Sequence, residues 1–189
     1  MRRSATRRAL GLAAAVALAV IAAAPAQATV RERIRTVDHY TDAYDCGFPV
    51  AVTGTWSDLL IVREGKNDDA EAFPVLNRFA YRETHTNTDT GEWFVREGHG
   101  LFNEVEATHV DGTVFEFRFV EAGQAVVIRD SDGNLVSRNR GALHVTYLFD
   151  TLGDGVPGGE FVADVDFRVA GPHPALELEP CDIATELIG

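Results

Sequence analysis

The chain has 189 residues and a formal net charge of −12, with 29 Asp and Glu against 17 Lys and Arg. That excess of acid excludes broad contact with nucleic acid, where Lys and Arg must displace counterions from phosphates, and opposes binding to anionic membrane surfaces. The same charge reads simply as a highly soluble surface.

The N-terminus places Arg2, Arg3, Arg7 and Arg8 ahead of an uninterrupted apolar run, Ala9–Ala24. Pro25 closes the run, and Ala26-Gln27-Ala28 is the small-x-small pattern of a signal-peptidase site. Residues 1–28 therefore read as a signal peptide removed near Ala28, and the expected location is secreted. The run is short and Ala-rich for a membrane span, so no stable membrane anchor is expected. Thr6-Arg7-Arg8-Ala9-Leu10 partly matches a twin-arginine export signal, while the general route fits equally well. Loss of the leader removes four arginines and no acid, taking the formal charge from −12 to −16. Two cysteines remain, Cys46 and Cys181. In an oxidising compartment an isolated pair is expected to form a disulfide.

Residues 29–45 are polar without a clear period and read as an N-terminal extension to a single domain, 46–189. From there Val-, Phe-, Tyr- and Thr-rich segments alternate with Gly/Asp turns, giving expected strands at 50–63, 73–86, 92–109, 113–120, 125–130, 134–149 and 160–170. Only Asp182–Ile188 reads as helix, with Asp182 as N-cap. Consecutive hairpins predict an all-β antiparallel meander of about seven or eight strands, closed into a β-barrel because closure removes edges. A β-sandwich is the alternative. An even strand count would require a break at Thr53-Gly54-Thr55.

Side chains set registers. A turn at Asp89-Thr90 pairs Thr86 with Trp93, Arg82 with Glu97 and Glu83 with Arg96, which matches opposite charges. His85 then faces Phe94 and His99 faces Ala80, roughly 16 Å apart along the ladder, too far to share a metal ion. No metal site and no cofactor are expected. Phe94 and Leu101 fall on different parities of one strand, so Gly98-His99-Gly100 is expected to hold a β-bulge. A second slip is expected near Gly141. For the next hairpin a three-residue loop, Val110–Gly112, pairs Ala107 with Phe115, Val105 with Phe117 and Glu104 with Arg118. Ser131-Asp132-Gly133 sets Ile128 opposite Val136.

Asp150-Thr-Leu-Gly-Asp154-Gly155 starts like an EF-hand loop, but Leu152 and Phe161 stand where oxygen ligands are needed. A looser cation site would use Asp150, Asp154 and Glu160. There is no Gly-x-Ser-x-Gly, His-Glu-x-x-His, phosphate loop or dinucleotide fingerprint. What remains is a set of polar residues on predicted apolar faces. Tyr81, Glu83 and His85 share a face at period two, and Asn103 lies between Leu101 and Val105.

The segments TGEWFVREGHGLFNEVEATHVDGTVFEF, YLFDTLGDGVPGG and GPHP resemble a group of uncharacterised exported bacterial β-rich proteins, a resemblance that implies no activity. At the level of fold alone the expected barrel is similar to lipocalin-like and allene oxide cyclase-like barrels. The lipocalin Gly-x-Trp signature is missing from its usual N-terminal place, so no site carries over. Three function classes follow. The first is an exported barrel binding a small, partly apolar molecule through Tyr81, His85, His99 and Asn103. The second is an extracellular interaction or structural protein with a filled core. The third is a cofactor-independent isomerase or cyclase using Glu83 and His85 with Tyr81.

Overall fold

The computed structural model describes residues 29–65, 71–176 and 178–189. The expected signal peptide, residues 1–28, and its expected cleavage site near Ala28 lie outside these residues. Eight antiparallel strands form one sheet: β1 (Val30–Asp45), β2 (Pro49–Arg63), β3 (Val75–Asn87), β4 (Trp93–Asp111), β5 (Val114–Arg129), β6 (Leu135–Arg138), β7 (Gly141–Asp150) and β8 (Glu160–Ala170). A 3-10 turn at Pro174–Leu176 leads to helix α1 (Pro180–Ile188). Pro180 occupies the first helical turn, where its missing N–H costs nothing, so the helix begins two residues before the expected Asp182 and Glu179 stands at the cap.

The expected closure into a barrel is not found. The spatial order is β1-β2-β3-β4-β5-β7-β8, with β6 pairing only with β5. This path has seven strand positions, so its two edges, β1 and β8, run in the same direction. Antiparallel closure, which needs an even number, is not available to it. The sheet stays open, and the described residues do not form the second sheet a sandwich requires. Strand boundaries shift for local reasons. Val30–Asp45 is a full edge strand, nearly all exposed, so no buried face imprints a period on its sequence. Segments 113–120 and 125–130 merge into β5, and 134–149 splits into β6 and β7 around Asn139-Arg140.

The β3–β4 hairpin has the expected register: Thr86 opposes Trp93, His85 opposes Phe94, Glu83 opposes Arg96, Arg82 opposes Glu97 and Ala80 opposes His99. Both charge pairs form, and Arg129 adds a second cation to Glu97 at 3.1 Å. The β4–β5 register differs. The turn sits at Gly112-Thr113, and shifts after Glu104 and His109 set Ala107 opposite Phe117, His109 opposite Phe115 and Glu106 opposite Arg118. This avoids the unfavourable Glu106–Glu116 pairing and yields a 2.8 Å Glu106–Arg118 ion pair. Ile128 opposes Ser137, not Val136.

One sheet face is the inner one. In β2, Val50, Val52 and Gly54 are buried while Thr53 and Thr55 are exposed, the period-two signature of a half-buried strand. Across the ladders this face continues through Tyr44, Val52, His85 and Phe94. α1 covers one end, burying Ile183, Ala184 and Ile188 against Val50, Phe94 and Ile128. The Cys46–Cys181 disulfide ties α1 to the β1–β2 turn. At the other end Ala72, from the β2–β3 connection, packs on Ala107, Phe115 and Phe117. Between them β5 bulges at Ala125-Val126, two residues opposite the single Gly98. β4 itself stays in regular register with β3, so the bulge expected in β4 at Gly98-His99-Gly100 is not formed there. A Cβ at Gly98 would lie 2.1 Å from the Ala125 carbonyl oxygen. Gly100, Gly123 and Gly141 align across β4, β5 and β7. Gly141, at φ 128°, brings β7 against the Ala170 carbonyl at a distance no side chain permits.

Candidate ligand-binding site

β3 presents Tyr81, Glu83 and His85 to the inner face, and the structure brings Glu83 and His85 together. Their side chains are 14% and 9% exposed, with His85 Nε2 3.3 Å from Glu83 Oε2. Two tyrosines from β1 complete the group. Tyr40 donates its hydroxyl to Glu83 Oε1 at 2.6 Å, and the Tyr44 hydroxyl lies 2.9 Å from His85 Nδ1. Arg96 of β4 donates to Glu83 Oε2 at 3.1 Å. If His85 gives its Nε2–H to the carboxylate, Nδ1 accepts the proton of Tyr44, and the chain Tyr44–His85–Glu83 is fully satisfied. Phe94 fixes the imidazole from below, stacked at 4.6 Å and 7°.

Burial pushes the Glu83 carboxyl upward, but hydrogen bonds from His85 and Tyr40 and the Arg96 charge outweigh it, bringing the group down to about 2. Glu83 is therefore held as a carboxylate well below the ordinary range of its kind. Burial first, and then the bond to Glu83, push Tyr40 up to about 12. Burial and the Glu83 charge also raise Tyr44.

These side chains line an open groove of about 450 Å³, with Val52 on its floor and Glu179–Cys181 at its rim. A smaller apolar pocket of about 130 Å³ continues beneath α1 among Phe94, Val126, Ile128, Leu178 and Ile183. The two spaces share Tyr44, His85, Arg96 and Pro180.

The other candidates lie elsewhere. The Tyr81 hydroxyl donates to the Ala125 carbonyl at 2.9 Å, supplying a partner where the β5 bulge opposite Gly98 disrupts the ladder. Its ring stacks on Trp56 and carries the Arg96 guanidinium 5.3 Å from its centroid. His99 is exposed and paired between Ala80 and Gln124, on the outer face, away from the groove. Asn103 accepts a 3.0 Å hydrogen bond from Arg63 Nη2. In the Asp150–Gly155 loop, Asp150 is occupied by Thr113 and the Leu152 N–H, and Asp154 caps Val156. Among the described residues no group of three or more His, Cys, Asp or Glu is placed to hold a metal ion.

Asn103 belongs to a second network that sequence reasoning missed. Glu104 is 6% exposed, and its carboxyl takes hydrogen bonds from the Tyr147 hydroxyl and the Val75 N–H. Arg63 donates to the carbonyl oxygens of Glu104, Val75 and Pro74. Burial dominates, and the Glu104 carboxyl is raised despite these partners. Burial and Glu104 raise Tyr147 as well. No cavity of the kind beside Glu83 opens onto this pair among the pockets described above.

The chain matches no protein-family model, no curated protein and no solved structure. Functional inference therefore rests on these side chains. Tyr40 and Tyr44 were absent from the sequence candidates, although Tyr40, Asp42 and Tyr44 alternate at period two, the available signal for one shared face.

Proposed function

We propose that the chain is an exported small-ligand-binding protein whose ligand has an apolar body and an uncharged polar head. The observation that carries this reading is the junction at Tyr44, His85 and Arg96, where the open groove meets the apolar pocket under α1. Ligand sites are concave, mainly apolar and equipped with a few fixed polar groups, and about 450 Å³ falls within their usual size. Glu83 and Arg96 neutralise each other, so the ligand need bring no charge. The unused Arg96 N–H groups and the tyrosine lone pairs remain to bond its head. Export is supported by the Arg2–Ala28 leader pattern and by the Cys46–Cys181 pair, which suits an oxidising compartment.

The isomerase or cyclase reading asks Glu83 to act as a base. A carboxylate held down at about 2 is a weak one, and the Tyr81 hydroxyl is committed to Ala125. A filled-core interaction protein has no use for the groove. Titration with Nile red, an uncharged dye, tests the reading. The wild-type protein is expected to bind it, and Tyr44→Phe and Arg96→Ala each to weaken binding by about tenfold. No uptake by the wild type, or unchanged uptake in both variants, contradicts the proposal.

A further inference from the structure

The two free edges of the sheet are unlike. β1 carries seven Asp, Glu or Arg residues along its length, the charged armour by which natural sheets discourage edge pairing. β8 carries four, and Phe161, Val162, Val165, Phe167 and Val169 are all exposed, Phe167 at 57%. Register shifts against β7 leave Val162 and Val165 as bulges, which guard the first half of β8. The stretch Asp166–Ala170 runs regularly and has no such guard. Among the described residues the other free edge, β1, runs in the same direction as β8 and cannot pair with it antiparallel.

We propose that β8 is a self-pairing edge, and that two copies of this chain form a two-fold dimer through antiparallel β8–β8 contact centred on Phe167. In that register Phe167 meets its own copy and Asp166 faces Arg168 twice, all within the regular stretch, and Val165 meets Val169 at its two margins. Two-fold symmetry makes every such contact in duplicate. Asp166 and Arg168 already project together, ion-paired at 2.7 Å within one strand, so both are positioned to exchange partners across the new ladder. The charge pattern also selects the register. Centring the pair on Val165 would set Asp164 against Asp166 twice, which is unfavourable. Pairing β8 with β1 of another copy would lose the apolar contacts and, being head-to-tail, would grow into open filaments.

Sedimentation equilibrium of the purified, disulfide-bonded protein over a wide concentration range reads the proposal. The expected result is a monomer–dimer equilibrium. Arg168→Asp weakens the dimer by about tenfold by placing like charges opposite one another, and the exchange Asp166→Arg with Arg168→Asp restores it. Phe167→Thr weakens it without a charge change, and Val37→Asp on β1 leaves it unchanged. A monomer at every concentration overturns the proposal, as does an Arg168→Asp dimer as tight as wild type, a dimer broken by Val37→Asp, or assembly into larger polymers.

Discussion

Two carboxylates on the inner face have nearly the same company and opposite electrostatics. Glu83 and Glu104 each sit with a tyrosine hydroxyl and an arginine. Glu83 also faces His85 and opens onto a groove, and its carboxyl is brought down to about 2. Glu104 is sealed under the β2–β3 connection, where desolvation outweighs its hydrogen bonds and raises it. What separates them is how many donors reach the carboxylate before water is lost. A charge held by side-chain donors beside a cavity is available to a ligand. One buried among packed groups serves the fold.

The comparison can be broken at either end. The largest effect is expected from replacing both cysteines, Cys46→Ser with Cys181→Ser. On the chain-entropy model this costs about 4 kcal/mol and frees α1, the roof of the Glu83 groove, while the Glu104 end keeps its packing. Urea unfolding gives the loss, and Nile red uptake should fall with it. Next is Glu104→Ala, which strands the Tyr147 hydroxyl and the Val75 N–H and should cost about 3 kcal/mol. Dye binding at the groove, measured on the folded fraction, should not change.

Smaller effects of opposite sign are expected from pH. Glu83 has a folded value of about 2 against an ordinary 4.5. Between these the unfolded chain binds more protons, so its contribution is full above about 4.5 and lost as pH falls through about 2. Glu104 is raised, so the folded state binds its proton more tightly. Its contribution is full below 4.5 and lost as pH rises through the raised value. Urea midpoints against pH should show Glu83→Gln flattening the acid limb and Glu104→Gln flattening the decline above it. If both variants altered the same limb, the electrostatic contrast would be wrong.

The sequence made some of this legible because cross-strand chemistry leaves a local record. Arg82, Glu83, Arg96 and Glu97 alternate in sign around a tight turn, which determines the β3–β4 register and with it the Glu83–Arg96 pair. The parity of Phe94 and Leu101 places a face change at Gly98-His99-Gly100 that the strand does not make. β4 keeps one register with β3 from Trp93 to Asn103, and its buried positions change parity at Val105, between Glu104 and Ala107. The β4–β5 register was not legible, since the irregularities after Glu104 and His109 have no Gly or Pro at the slip to mark them. For the same reason Glu104 reads as one more acid in a charged strand. β1 was invisible because an edge strand exposed on both faces has no hydrophobic period, and its tyrosines were lost with it. The barrel failed on parity: β6 and β7 occupy one side of β5, leaving seven strand positions where eight were needed.

Native mass spectrometry of the purified protein, run beside Glu83→Gln and Glu104→Gln, tests the central contrast most directly. A small uncharged molecule should be retained by the wild type and by Glu104→Gln and be missing from Glu83→Gln. A wild-type protein that carries nothing, or a molecule lost from Glu104→Gln and kept by Glu83→Gln, would contradict the account.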